Sequence, residues 1–172
     1  MPRCGVVALL GLLVGCSPTP VGPTSHALRG EAFGTSWTVK WVGKADDGLS
    51  AAIVGALEGV DRGMSTWRDD SELMAVRRGS GPVTVTADTF EVVKAGLQLA
   101  NVTDGAFDPT VQPLVEFWGF HGTPRVSWPT EEEVAGVRAS VGYTKVMPIR
   151  SLDGQLTINA NGTALDLSAI AK

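Results

Sequence analysis

Thr103-Asp104-Gly105-Ala106-Phe107-Asp108-Pro109-Thr110-Val111, continued by Gln112-Pro113-Leu114-Val115-Glu116-Phe117-Trp118-Gly119-Phe120, reads as the stop of one helix and a proline-led start of the next. Glycine takes the left-handed backbone that ends a helix at little cost, so the upstream helix should end near Asp104-Gly105. Pro113 suits a helix start, where its missing N–H removes a donor that has no partner in any case.

Upstream of that stretch, Phe90, Val93, Leu97 and Ala100 form an apolar stripe at helical spacing behind Thr86 or Asp88 as cap, and Val83 to Thr86 reads as a short strand leading in. Earlier still, Leu49, Ile53, Ala56, Leu57, Val60 and Met64 recur with helical period after Asp46-Asp47-Gly48. Gly55 and Gly59 weaken that helix by about 1 kcal/mol each relative to Ala. From Thr35 to Val42 the period is two, with Trp37, Val39 and Trp41 opposite Ser36, Thr38 and Lys40: a half-buried strand.

Downstream, Thr130-Glu131-Glu132-Glu133 matches a capping box and opens a helix to about Ser140. Lys145 to Ile149 and Gln155 to Asn159 read as strands. Asn161-Gly162 reads as a tight turn before a buried strand, Ala164 to Leu167. Helices and strands mix without strict alternation, so the fold class is α+β in a single mixed domain.

Residues 1–16 read as a signal peptide: Arg3, the apolar run Val6 to Leu13, then Leu13-Val14-Gly15-Cys16, a lipobox. The run is too short for a span, which needs about 20 residues. An ordinary cleaved signal with an incidental cysteine is the bland alternative. With Cys16 lipidated and Cys4 lost with the signal, no pair is left for a disulfide, and several acyl chains give durable anchoring to a bacterial membrane on the exported, periplasmic side. Pro18, Pro20, Gly22 and Pro23 mark a linker, assigned to residues 17–28, and residues 29–172 form one domain. A net charge of -4 without a basic run interleaved with aromatics argues against a nucleic-acid partner.

Three stretches concentrate polar chemistry: Met64 to Leu73, Thr103 to Phe120, and Leu165-Asp166-Leu167-Ser168-Ala169-Ile170-Ala171-Lys172. The first reads equally as a helix end running into a solvated loop. The third delivers an acid, a hydroxyl and a helix start to one place. Free amides there suit an anion such as a phosphate, though capping by Ser168 explains the pattern equally well. His26, in the linker, and His121, in a loop, read as surface histidines.

Taken in order, these stretches resemble the FAD:protein FMN transferase (ApbE) family from about Arg29 to Lys172. Phe33-Gly34-Thr35 resembles the family's A-M-G-T, with Phe33 where Met is usual. Asp61-Arg62-Gly63-Met64-Ser65-Thr66-Trp67 resembles D-R-x-M-S-T-Y, with Trp67 in place of Tyr. The second and third stretches resemble D-G-A-F-D-P-T-V-x-P-L-V-x-x-W-G-F and L-D-L-G-A-I-A-K-G. The resemblance implies a transferase that cleaves FAD with Mg²⁺ and attaches FMN through a phosphoester to a Ser or Thr hydroxyl of a target protein, releasing AMP. It implies FAD contacts at Phe33, Trp67, Ala106, Phe107, Asp108, Asp166 and Lys172, and a Mg²⁺ ligand in the Ala169 carbonyl. It names no catalytic base among these residues. The family's other Mg²⁺ ligands, an Asp and a Thr, and its histidine candidate for proton transfer are expected in a C-terminal part that follows this stretch of the domain, so the chain is expected to be C-terminally truncated. The implied partners are flavin-accepting subunits of membrane electron-transfer complexes. An anchored FAD-binding lipoprotein without catalysis is the alternative.

Overall fold

The computed structural model describes residues 22–121 and 124–171. Residues 1–16, read above as a signal peptide ending at Cys16, and Lys172 lie outside the described residues. Contacts divide the chain into two units, residues 1–47 and 48–172.

The first unit is a hairpin of β1 (Ser25–Ala32) and β2 (Thr35–Val42), antiparallel from Ser25↔Val42 to Ala32↔Thr35. Its two-residue turn is Phe33-Gly34, with φ of 54° and 71°. A turn with both φ positive matches the twist of the flanking strands, which is why such loops close hairpins. Trp37, Val39 and Trp41 are half-buried and their neighbours exposed, as the period-two pattern predicts. Gly30 faces Trp37, where a Cβ would stand 2.5 Å from the indole. The linker reading is corrected at its end: β1 begins at Ser25, so residues 25–28 are strand. His26 is accordingly not in a linker. Its ring stacks on Trp41 at 5.0 Å and its Nε2 lies 2.9 Å from the Gly43 carbonyl oxygen. The alternation here was faint because the half-buried positions of β1 are His26, Leu28, Gly30 and Ala32, only one of them strongly apolar.

The second unit runs α1 (Leu49–Met64), α2 (Glu72–Arg78), β3 (Val83–Thr84), α3 (Ala87–Val102), α4 (Gln112–Phe117), α5 (Glu131–Arg138), a 3-10 turn (Tyr143–Lys145), β4 (Met147–Arg150) and β5 (Leu156–Asn159). The sheet is antiparallel in the order β3-β5-β4. Ile158 of the central strand is fully buried with Val93 and Phe90 of α3, Met64 of α1, Leu73 and Val76 of α2, and Leu167. Each such side chain contributes about 1.5–3 kcal/mol on leaving water.

The helix ends show why these segments start where they do. In α5 the Thr130 hydroxyl accepts from the Glu133 N–H at 3.2 Å and the Glu133 carboxylate accepts from the Thr130 N–H at 2.8 Å, the predicted box in full. In α2 the Ser71 hydroxyl accepts from the Met74 N–H at 3.2 Å. At α3 the cap residue is Thr86, but the carboxylate serving its N–H and hydroxyl, at 3.0 Å each, is Glu72 of α2.

Four local expectations change. The polar stretch after α1 is a short loop into α2, a helix that the pattern did not predict. The strand read from Lys145 starts at Met147, because Tyr143–Lys145 turns first. Ala164 to Leu167 holds three buried apolar residues but joins no ladder; the Asp166 N–H donates instead to the Pro109 carbonyl at 2.8 Å. Ser168 is not the cap of the final turn: the Leu167 carbonyl accepts from Ile170 and Ala171, and Asp166 Oδ1 takes the Ser168 N–H at 2.8 Å. Among the described residues no helix is long and apolar enough to cross a membrane.

Candidate functional site

The Thr103 to Thr110 loop is built by its own polar groups. The Thr103 hydroxyl donates to the Leu99 carbonyl at 2.9 Å and accepts from the Phe107 N–H at 3.1 Å, folding the chain back at the end of α3. Asp104 and Gly105 take φ of 51° and 79°, and the Gly105 N–H reaches the Ala100 carbonyl, the hydrogen-bond pattern of a left-handed helix stop. Ala106 is left exposed and Phe107 half-buried.

Asp108 then fixes the loop to the segment before β4. Its Oδ1 accepts from the Thr110 N–H at 2.8 Å and the Thr110 hydroxyl at 2.6 Å, and its Oδ2 accepts from the Tyr143 N–H at 3.1 Å. The Thr110 hydroxyl in turn accepts from the Gly142 N–H at 2.7 Å. Two backbone amides and a hydroxyl thus converge on one carboxylate and tie the loop to the segment before β4.

The second and third stretches meet. Besides the Asp166 to Pro109 bond, Pro109 and Ile170 both rest on Gly96 of α3, where a Cβ would stand 3.0 Å from Ile170 Cδ1 and 3.6 Å from Pro109. The half-buried Asp166 and exposed Ser168 and Ala169 therefore sit beside the Phe107-Asp108 loop. The turn leaves Ala169 exposed, three residues past Asp166.

The first stretch meets the tail of the second. Trp67, 73% exposed, stacks on His121 with ring centroids 4.1 Å apart and planes 21° from parallel. His121, read as a surface histidine in a loop, is partly exposed there and has the Trp67 ring as a partner. Sequence reasoning missed this contact because the two rings come from separate loops, and no local periodicity links them. Arg68 beside Trp67 is held by Asp70, through Nε at 3.0 Å and Nη2 at 2.8 Å, and by Asp61 through Nη1 at 3.1 Å. The Arg68 guanidinium keeps the Asp70 carboxyl below its usual range.

Arg77 of α2 grips Glu116 of α4 with both guanidinium arms, one at 2.8 Å, and Gln112 Nε2 donates to the same carboxylate at 3.0 Å. The Arg77 hydrogen bond is the main cause that pulls the Glu116 carboxyl below its ordinary 4.5, against a smaller opposing effect of burial. A depressed folded-state value means the stabilisation is whole above about 4.5 and drains away as pH falls through the folded value. Acidification below that point should therefore loosen the α2–α4 link, and Arg77→Met should flatten this part of the stability-versus-pH curve, read by thermal unfolding at stepped pH. Both residues are more than a third open or nearly so, which keeps the effect near 1 kcal/mol.

Among the described residues no three His, Cys, Asp or Glu side chains are grouped to hold a metal ion. The Ala169 carbonyl is one oxygen against the six that Mg²⁺ takes. The described residues alone do not fit a magnesium site.

Known proteins match this arrangement. The ApbE family model matches residues 33–172. An FAD:protein FMN transferase of Vibrio cholerae is 37% identical over 96% of this chain and 50% of its own length, and one of Salmonella typhimurium is 34% identical over 87% and 46%. The flavin transferase ApbE structure from Vibrio cholerae superposes with a TM-score of 0.77 at 36% identity, over 87% of this chain and 50% of that one. The apo flavinyl transferase ApbE of Pseudomonas stutzeri gives 0.74 at 31% identity, over 87% and 51%. The chain spans about half the length of the curated relatives it matches. With its mixed helix-and-sheet fold, its ordered motifs and this match over most of its length, the chain belongs to the ApbE family.

Proposed function

We propose that the protein is a flavin transferase: it binds FAD and transfers FMN to a hydroxyl of a target protein. The observation that carries this reading is the convergence, in the second unit, of the Asp108 loop with the Asp166–Ala169 turn, in a fold shared with flavin transferases at 36% identity. In balance, a Ser or Thr oxygen of the target bonds to the FMN phosphorus, the bond from that phosphorus to the bridging oxygen breaks, AMP leaves with the bridging oxygen, and the hydroxyl proton goes to a base. FAD is expected against Trp67, Ala106, Phe107, Asp108 and Asp166 of the second unit; Phe33 and Lys172 are contact positions that rest on the family resemblance alone.

Mg²⁺ belongs to the proposal as the metal of the whole protein, with the Ala169 carbonyl as one ligand. The proposal also includes export through the lipobox, anchoring by lipidated Cys16 on the periplasmic side, and flavin-accepting subunits of membrane electron-transfer complexes as targets. The test incubates the purified protein with FAD, Mg²⁺ and a Thr-bearing target, and follows AMP by chromatography and the mass of the target. Release of AMP with a gain of one FMN on the target supports the transferase. FAD retained intact with no AMP supports the anchored FAD-binding lipoprotein, and absence of any bound flavin removes both. The anchor is checked separately, by acyl mass on the N-terminal peptide beginning at Cys16.

A further inference from the structure

Trp67 presents a problem that its sequence does not solve. It lies in the loop between α1 and α2, the residue is 73% exposed, and its backbone N–H donates to the Ser65 hydroxyl at 3.2 Å. An indole so placed is free to change rotamer, and a ring that must be ordered before it can stack on a ligand loses part of the contact to that ordering.

The structure supplies the restraint from another element. His121 covers one face of the indole at 4.1 Å, nearly parallel to it, while the exposure of Trp67 leaves its remaining surface to solvent. The position of His121 is itself fixed from the end of α4. The Gly119 N–H reaches the Glu116 carbonyl and the Phe120 N–H reaches the Val115 carbonyl, and Gly119 turns the chain with φ of 79°. A side chain at Gly119 would meet the Arg125 backbone nitrogen at 2.6 Å. The Arg77–Glu116 ion pair ties α2, which follows the Trp67 loop, to α4, which precedes His121. Gln112, 2% exposed, braces the same carboxylate.

We propose that His121 is a positioning residue for the ring-binding face of Trp67: it holds the indole flat from behind, so that the open face receives the aromatic ring of the flavin nucleotide. This rests on the flavin reading above. His121 touches no ligand in this arrangement and acts through Trp67 alone.

The test measures FAD affinity of the full chain by quenching of flavin fluorescence, in the protein as it stands and in His121→Ala, His121→Phe, Trp67→Ala and the double variant. An aromatic pair of this kind corresponds to about a three- to tenfold change in affinity. His121→Ala should weaken FAD binding by that factor, and His121→Phe should restore it, because a flat ring is the only requirement. Trp67→Ala should weaken binding about tenfold or more. In the Trp67→Ala background, His121→Ala should then have no further effect, a coupling that a general loss of loop structure would not produce. Proton NMR of the ligand-free protein supplies a readout independent of flavin: the indole ring current should shift the His121 ring protons upfield, and Trp67→Ala should abolish the shift. Unchanged affinity in His121→Ala, or additive losses in the double variant, overturns the proposal while flavin binding stands. A protein that shows the NMR shift yet binds no FAD overturns the flavin reading, and the positioning role with it.

Discussion

Asp108→Ala lowers the unfolding free energy of the chain by about 3 kcal/mol, because three donors lose their acceptor together and each unsatisfied buried group costs about 1–3 kcal/mol. The donors are the Thr110 N–H, the Thr110 hydroxyl and the Tyr143 N–H, and Thr110 is fully buried. Thr110 has a second duty as acceptor for Gly142, so the loss spreads to the segment before β4. Asp108→Asn should cost roughly half as much. One amide oxygen can serve Thr110, but the amide nitrogen then faces the Tyr143 N–H, donor against donor. Urea unfolding of the three proteins decides it: a loss below about 0.5 kcal/mol for Asp108→Ala would mean that solvent takes over these donors. The same comparison separates structure from binding. If Asp108→Asn folds stably and still loses FAD, the carboxylate charge matters to the ligand beyond its role in the loop.

Leu167→Ala is expected to cost a comparable amount, about 2–5 kcal/mol, as for other buried leucines truncated where the surroundings cannot close the gap. Leu167 is fully buried in the core with Ile158 and Val93, and its carbonyl starts the turn that presents Ala169. Truncation should therefore lower thermal stability and reduce flavin affinity together. Leu167→Met, which nearly conserves volume, should cost under about 1.5 kcal/mol and leave the affinity near its starting value. Equal losses for the two variants would place the effect in the backbone rather than in packing.

Much of this architecture was legible in sequence where one element carries its own signal. The stripes of α1 and α3, the alternation of β2, the box at Thr130 and the Asn161-Gly162 turn each rest on residues a few positions apart. Asn161 and Gly162 take the positive φ that such a turn demands, 47° and 81°. What was not legible depends on distant partners. α2 has only two buried apolar residues, Leu73 and Val76, too few to set a period. β1 is a strand because β2 pairs with all of it. The Ala164 to Leu167 segment was rightly read as buried, since its composition says so, but composition does not say which backbone takes its hydrogen bonds. At the candidate site the motif residues were found by resemblance, and the meeting of the second and third stretches over Gly96 gives them a physical setting. His121 was missed because its partner is Trp67, and Glu116 because its partner, Arg77, is 39 residues away.

The carboxylate at the start of α3 has a consequence for how the protein opens. In α5 the box is closed by Glu133 of the same helix, so that helix can form its first turn unaided. In α3 the corresponding position is Thr89, and the carboxylate comes from Glu72 on α2. The first turn of α3 is complete only while α2 is docked, so the two helices should exchange their amide protons as one cooperative unit. The loop that carries Trp67 lies just ahead of Glu72, and a fluctuation large enough to carry α2 away would also fray the helix whose far end holds the Asp108 loop.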